Sequence, residues 1–120
     1  MRFDPECMKA ILQAYEDLPA NNDNFDLGIT QFSQESVYHH QLLLGDADYI
    51  IFKNCGTNSS PYTLLPVRIT MKGQEFLNES KNADAWAKVR SSFAKTGAFV
   101  TSIASEVMKE YIKSQLLQLL

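Results

Sequence analysis

The chain has 120 residues, of which 45% are apolar and 21% are charged. That length suits one domain, and the composition allows a packed core and argues against global disorder. Eleven basic and fourteen acidic residues give a formal net charge of −3, which disfavours a strongly basic nucleic-acid-binding protein. The composition thus indicates a globular domain but no particular function.

The first helix is predicted by its local signals. Asp4 is a good N-cap, and Pro5 suits the first helical position because no N–H is needed there. We expect the helix to end at Leu18, because a residue before proline is disfavoured in the α conformation. The apolar and polar residues of 25–29 then alternate, which is compatible with a short strand. The inward face of the helix has regular spacing: Met8, Ile11, Leu12, Tyr15.

A second helix is predicted over residues 34–47, with Ser33 as its N-cap. Residues 49–55 are rich in β-forming side chains, residues 56–61 are typical of a turn, and residues 62–69 would return as a second strand. Pro66 lacks a ladder donor and therefore places that strand at an edge or a bulge. The inward face of the helix comprises Val37, His40, Leu44 and Ala47, with Leu43 at its edge.

Three further helices are predicted in the remaining chain. Thr70 caps a short one, Asn82 or Asp84 caps the next, and a long final helix follows Gly97. The aromatic residues of the first two have the spacing of core side chains: Phe76, Trp86, Phe93. The long helix is marked by a series of mostly apolar residues: Val100, Ile103, Ala104, Val107, Met108, Tyr111, Ile112.

This order of elements predicts an α+β fold. A capped helix followed at once by a two-stranded hairpin is typical of a winged helix-turn-helix domain, which we place at residues 1–80. The helix over 34–47 would be the recognition helix and residues 56–61 the tip of the wing; only residues 28–33 could hold a turn of the usual middle helix. Residues 81–120 would form a C-terminal helical extension. We expect this extension either to pack on the domain or to form a homodimer seam through residues 100–120.

Two segments resemble a known family. Residues 40–50 resemble the "His-x-x-Leu-Leu-x-x-Ala-Gly-Leu-Ile" ending of winged-helix recognition helices. Residues 69–77 are similar to a "Leu-Thr-x-x-Gly-x-Glu-Phe-Leu" segment, with Trp86-Ala87-Lys88-Val89 at the expected distance. Together with Arg2-x-Asp4 and Ile11-Leu12, they resemble an uncharacterised family of bacteria and prophages, domain-of-unknown-function family 2513.

The resemblance implies a winged-helix fold and a phage or prophage setting, but no activity and no functional residues. The sequence departs from the pattern at two positions. Asp48 stands where glycine normally adopts the left-handed conformation that ends a helix, and Asp tolerates that conformation better than most residues. Gln41 stands where an apolar residue is usual.

Our first functional hypothesis is a non-enzymatic binding module that engages a host or phage protein. Residues 34–47 would present an acidic face with an exposed Tyr–Leu pair, and aromatic residues are enriched in interface cores. An alternative for Leu42 is burial under the C-terminal helices. The candidate protein-binding residues are Glu35, Tyr38, His39, Leu42 and Asp46.

The alternative hypothesis is a DNA-binding transcriptional regulator that uses the same helix and the wing. Charge argues against it, because Lys and Arg supply most non-specific affinity for duplex DNA and residues 10–52 contain neither. The residues that would contact DNA are Gln34, Tyr38, His39, Gln41, Lys53, Arg68 and Lys72.

Metal binding, catalysis and export have little support in the sequence. Adjacent His39 and His40 point to different helix faces, and with Cys7 and Cys55 they have no metal-binding spacing. No phosphate-binding loop or nucleophile elbow is present, so we expect no enzyme and no cofactor. There is no signal-peptide pattern or membrane-spanning run, and the two cysteines predict free thiols in the cytoplasm, with one disulfide as the alternative.

Overall fold

A computed structural model of the chain describes residues 3–96 and 99–119. The chain divides into two compact units, Met1–Gln74 and Glu75–Leu120. Within the described residues, no helix is both long and apolar enough to cross a membrane. The elements in chain order are α1 (Pro5–Glu16), α2 (Gln34–Asp46), β1 (Ile50–Asn54), β2 (Leu64–Ile69), α3 (Met71–Ser80), α4 (Ala83–Thr96) and α5 (Thr101–Leu119).

The first two helices begin where their caps predict. The Asp4 carboxylate accepts the N–H of Glu6 at 2.9 Å, and the Ser33 hydroxyl accepts the N–H of Ser36 at 3.1 Å. Each cap satisfies a backbone donor that has no partner inside its helix. The two helices pack on each other, and their buried side chains form the core of this unit: Cys7, Met8, Ile11, Leu12, Tyr15, His40, Gln41, Leu44.

The turn from α2 into β1 depends on Asp48, which adopts a left-handed conformation with φ of 65°. The Tyr49 N–H donates to the Leu44 carbonyl at 2.9 Å, and the Asp48 N–H donates to the Gly45 carbonyl at 3.1 Å. This pair of bonds is the Schellman motif, which satisfies carbonyls at the helix end. The expectation that Asp48 maintains this turn is confirmed.

The strands β1 and β2 pair antiparallel, and the pairing shifts by one residue between Ile51 and Phe52. Ile51 lies opposite Arg68, whereas Phe52 lies opposite Pro66, so Val67 is the extra residue of a β-bulge. The predicted place of Pro66 at a bulge is therefore confirmed. Proline has no N–H to donate, and it is tolerated beside a bulge because the ladder of hydrogen bonds is already interrupted there.

The strand proposed for residues 25–29 is wrong, since this segment has no regular secondary structure, pairs with no strand and includes Gly28 with a positive φ. Local side chains accept hydrogen bonds from alternate backbone N–H groups here. The side-chain oxygens of Asn22, Asn24 and Asp26 each accept the N–H of the residue two positions later, at 2.8–3.2 Å. Such local bonds compete with the ladder of a sheet. The Asn22 amide also donates to the Pro66 carbonyl at 2.9 Å, which ties the segment to β2.

The junction between β2 and α3 is tied to the turn after α2. The Thr70 hydroxyl donates to the Asp48 carbonyl at 2.6 Å and accepts the N–H of Gly73 at 3.1 Å. The Thr70 N–H donates to the Tyr49 carbonyl at 3.0 Å. Thr70 therefore caps α3, as the sequence predicts, and also holds two turns together.

The second unit comprises the end of α3 with α4 and α5. Asn82, one of the two proposed caps of α4, accepts the N–H of Ala85 at 3.1 Å, which leaves Asp84 in the first turn. Phe76 and Trp86 are buried and meet edge to face at 6.4 Å, whereas Phe93 is half-buried. The end of α5 presents exposed leucines: Leu116, Leu117, Leu119.

The mixed α+β class is confirmed, with a two-stranded antiparallel sheet among the described residues. Residues 17–33, all of which are described, contain turns and bends but no helix, so the usual middle helix of a winged helix-turn-helix unit is missing there. Gly97, which was expected to break the helical pattern, lies outside the described residues.

Candidate functional site

A groove in the first unit lies between residues 25–29, one face of α2, and residues 62–64, which lead into β2. We call it the aromatic groove. Its volume is about 420 Å³, within the range of small-ligand and peptide side-chain pockets. It is lined by Phe25, Asp26, Leu27, Ile29, Gln34, Val37, Tyr38, Gln41, Tyr62, Thr63 and Leu64.

Three aromatic side chains from three separate segments line this groove. The rings of Tyr38 and Tyr62 are 5.1 Å apart, with 55° between their planes. Phe25 is 50% exposed and Tyr62 is 45% exposed. Aromatic side chains that remain this accessible at a concave surface are typical of binding sites.

The groove lining includes one charged side chain. Among its described lining residues, Asp26 is charged and the others are neutral. One oxygen of the Asp26 carboxylate accepts the N–H of Gly28 at 2.8 Å. Gly28 has a positive φ of 74°, and there is no heavy atom within 4 Å of where its Cβ would be.

The structure divides the five predicted protein-binding residues between two stripes of α2. Tyr38 lines the aromatic groove together with Gln34. Glu35, His39, Leu42 and Asp46 follow an i, i+4, i+7, i+11 spacing and form the adjacent stripe. Glu35 and Asp46 are exposed, whereas His39 and Leu42 are half-buried.

Of the residues proposed for DNA contact, Gln34, Tyr38 and Gln41 line the aromatic groove, and His39 is half-buried on the adjacent stripe. Gln41 is buried and accepts a 2.7 Å hydrogen bond from the Tyr15 hydroxyl, so its side chain is not available to read a base edge. Lys53 and Arg68 are exposed on β1 and β2. The Lys72 ammonium lies 5.1 Å from the centre of the Tyr49 ring.

Cys7, Ser36 and His40 are linked by hydrogen bonds, a combination that in an open cleft would indicate nucleophilic chemistry. The His40 Nδ1 donates to the Ser36 carbonyl at 2.7 Å, and its Nε2 accepts the Asp4 N–H at 2.8 Å. Cys7 and His40 are both fully buried, and burial raises the pKa of Cys7 to about 11, although the hydrogen bond between Cys7 and Ser36 acts in the opposite direction. A nucleophilic cysteine requires the opposite shift, so this cluster is structural.

The structure does not bring His39, His40, Cys7 and Cys55 together as a metal site. Cys7 is buried, Cys55 is exposed, and both are free thiols. Backbone groups occupy both ring nitrogens of His40. Within residues 3–96 and 99–119, no three His, Cys, Asp or Glu side chains lie close enough together to hold a metal ion.

The second unit has a smaller cavity of about 270 Å³ between α4 and α5, lined by residues such as Val89, Phe93, Ile103 and Val107. Its lining is apolar apart from Ser92 and includes no charged side chain among the described residues. Polar groups orient a ligand and provide specificity. The aromatic groove is therefore the better candidate site.

A family model described as "Hypothetical protein (DUF2513)" matches residues 2–99 of the chain. The chain belongs to this family. No curated protein and no solved structure matched the chain. The DUF2513 match ends before α5, so that helix lies outside the matched residues.

The two segments that resemble DUF2513, residues 40–50 and 69–77, contact each other in the structure. They meet at the bond between the Thr70 hydroxyl and the Asp48 carbonyl. Gly73 lies against the backbone of Tyr49, where a side chain would overlap the Tyr49 carbonyl oxygen. Asp48, Thr70 and Gly73 join the hairpin to α2 and α3, and none of the three lines the aromatic groove, whereas Gln41 in the first segment does line it.

Sequence reasoning missed most of the groove, including Phe25, Asp26 and Tyr62. Phe25 and Tyr62 were assigned to strands, where an aromatic residue needs no explanation. The signal that could have found them is their setting, because each is an aromatic residue beside a run of turn-forming polar residues.

Proposed function

We propose that the first unit is a non-enzymatic protein-interaction module that binds a segment of a host or phage protein in the aromatic groove. The observation that carries the proposal is the convergence of Phe25, Tyr38 and Tyr62 on one concave surface, with Phe25 and Tyr62 about half exposed. Burial of such side chains by a partner supplies much of the affinity of protein interfaces.

The architecture supports a winged-helix type of module. The order α1, α2, β1, β2 matches a recognition helix followed by a wing, although no middle helix precedes α2. In this proposal, α2 contributes Gln34 and Tyr38 to a protein contact instead of entering a DNA groove. The phage or mobile-element setting implied by the family resemblance is part of the same proposal.

Charge favours a protein partner over DNA. Residues 10–52 contain seven acidic residues and no Lys or Arg. This part of the chain includes two of the segments that line the groove, residues 25–29 and α2. Because phosphate neutralisation by cations dominates duplex binding, such a surface would repel DNA. The buried hydrogen bond from Tyr15 also makes the Gln41 side chain unavailable for contact with a base.

Site-specific photocrosslinking in cells that contain the natural partners tests the proposal. A benzophenone amino acid is placed at Phe25 or Tyr62, and at Met71 as a control. Met71 is 73% exposed but does not line the groove. We expect the same adduct from both groove positions, none from Met71, and loss of the adduct in a Tyr38→Leu variant that still melts cooperatively. Equal adducts from Met71, or none from the groove, would contradict the proposal.

A fluorescence anisotropy titration with random duplex DNA at low salt tests the alternative regulator. We expect no salt-sensitive binding in the micromolar range. If such binding occurs and is lost in a Lys53→Gln/Arg68→Gln variant, DNA is the partner and the wing carries the contact.

A further inference from the structure

The chemistry of the aromatic groove selects the charge of its occupant. Its described lining includes one carboxylate and no cation, and Glu35 is exposed one residue after the groove residue Gln34. An anionic side chain would meet a like charge there and would find no cation to pair with. A cationic side chain would be attracted instead.

Asp26 is accessible for such a contact. It lines the groove and is exposed, and one of its carboxylate oxygens accepts the Gly28 N–H at 2.8 Å. A carboxylate has several lone pairs, so it can accept further hydrogen bonds from a cation. Asp26 can therefore pair with a partner's cation.

The aromatic rings favour the same charge. The faces of aromatic rings carry negative partial charge and attract ammonium and guanidinium groups. Of these two, the planar guanidinium both stacks on an aromatic ring and forms paired hydrogen bonds with a carboxylate, whereas a lysine ammonium acts as a point charge. Tyr38 and Tyr62, with Asp26 on the same groove, supply both kinds of contact.

We propose that the partner segment inserts an arginine side chain into the aromatic groove, where the guanidinium stacks on Tyr38 or Tyr62 and pairs with the carboxylate of Asp26. This inference rests on the proposed function, because it names the chemistry of the segment that the groove binds.

The test uses the full chain, labelled with nitrogen-15, and short capped Gly-Ser peptides that differ at one kind of residue. One peptide carries arginine, the second carries its neutral near-isostere citrulline, and the third carries leucine. Amide shifts are followed during titration. We expect the arginine peptide to shift residues 25–29, 34–41 and 62–64, and to bind at least about fivefold more tightly than the citrulline peptide.

Two matched carboxylate variants separate a specific contact from a general attraction to an acidic protein. Asp26→Asn keeps an oxygen that can accept the Gly28 N–H but removes the charge from the groove. Asp46→Asn removes an exposed charge on α2 that does not line the groove. We expect at least about fivefold weaker arginine-peptide binding in the first variant and less than about twofold in the second.

The outcomes distinguish this inference from the proposed function. If the citrulline or leucine peptide shifts the groove residues with the same affinity, arginine selection is wrong while the groove remains a protein-binding site. If equal losses follow Asp26→Asn and Asp46→Asn, or if the shifts avoid the groove, the inference is also wrong. The adduct identified by photocrosslinking decides the function independently, and a crosslinked partner segment without arginine would overturn the inference alone.

Discussion

The phenol of Tyr15 in α1 donates a 2.7 Å hydrogen bond to the side-chain oxygen of Gln41 in α2, and both side chains are buried. Burial raises the pKa of Tyr15, so the phenol remains the donor over the working pH range. This bond explains how the core accepts Gln41 at a position where the family resemblance leads one to expect an apolar residue. A buried amide is tolerated when its hydrogen bonds are made.

We predict that Tyr15→Phe lowers the free energy of unfolding by about 1–3 kcal/mol, because the Gln41 oxygen loses its donor without gaining water. The double variant Tyr15→Phe/Gln41→Met removes both polar groups and should recover most of that loss. Denaturant unfolding of the four proteins of this cycle provides the measurement. Simple addition of the two single effects would show that the two side chains are not coupled.

Gly73→Ala should destabilise the first unit by about 1–3 kcal/mol, because the added methyl would overlap the Tyr49 carbonyl oxygen and lie 2.9 Å from Cγ1 of Ile69. The sign is informative, since alanine normally stabilises a helix relative to glycine by about 0.5–1 kcal/mol. Glu75→Ala, at an exposed position of α3, is the control and should change stability by less than about 0.5 kcal/mol. Thermal and urea unfolding measure both, and a stabilised Gly73→Ala protein would refute the close contact.

Asp48→Gly should increase stability by about 0.5–1 kcal/mol, because glycine adopts a positive φ without the steric cost that a side chain adds. Asp46→Gly, two positions earlier and still helical, should instead change stability by less than about 0.5 kcal/mol, because the lower helix propensity of glycine and the removal of an acidic group from the helix C-terminus oppose each other. The difference between these neighbouring aspartates tests the Schellman turn directly in urea unfolding. Equal losses in both variants would exclude the left-handed conformation at Asp48.

The two cysteines should react very differently with a thiol reagent. Cys55 is exposed and should be labelled in the folded protein, whereas Cys7 is fully buried and should be labelled when the protein unfolds. Mass spectrometry of proteolytic fragments after labelling with and without urea identifies each site. Rapid labelling of Cys7 in the native protein would contradict the packing of α1 on α2.

The raised pKa of Cys7 also predicts a loss of stability at alkaline pH. Burial raises this pKa from 9.0 to about 11, so the folded state retains a proton that the unfolded state releases. The stability that the folded protein gains from keeping Cys7 protonated is complete below about pH 9 and declines as the pH rises toward 11. Cys7→Ala should have a flatter stability profile between about pH 9 and 10, below the range in which Tyr15 contributes. Cys55→Ala, the control, should keep the wild-type slope.

Many local features could be predicted from sequence because their causes are local. Asp4, Ser33 and Thr70 each satisfy a backbone donor within three residues, so the starts of three helices follow from the chain itself. The place of Pro66 at a bulge follows from its missing N–H, whereas the left-handed Asp48 was predicted from the glycine that the family pattern has at that position.

Residues 25–29 show where prediction from the local sequence pattern fails. Alternation of apolar and polar residues suggested a strand, but a strand exists only if a partner pairs with it. Asn22, Asn24 and Asp26 take the N–H groups that such a partner would need. The competing pattern of side-chain acceptors two residues apart was present in the sequence and could have been noticed.

The sequence alone determined the order of the helices and of the two strands that pair, the acidic character of residues 10–52 and the family to which the chain belongs. The tertiary structure decided that Gln41 turns inward to Tyr15 and that Phe25, Tyr38 and Tyr62 share one groove. Caps and turns depend on residues a few positions apart. A groove depends on the packing of segments that are distant in the chain, and one sequence does not specify which of its exposed side chains meet.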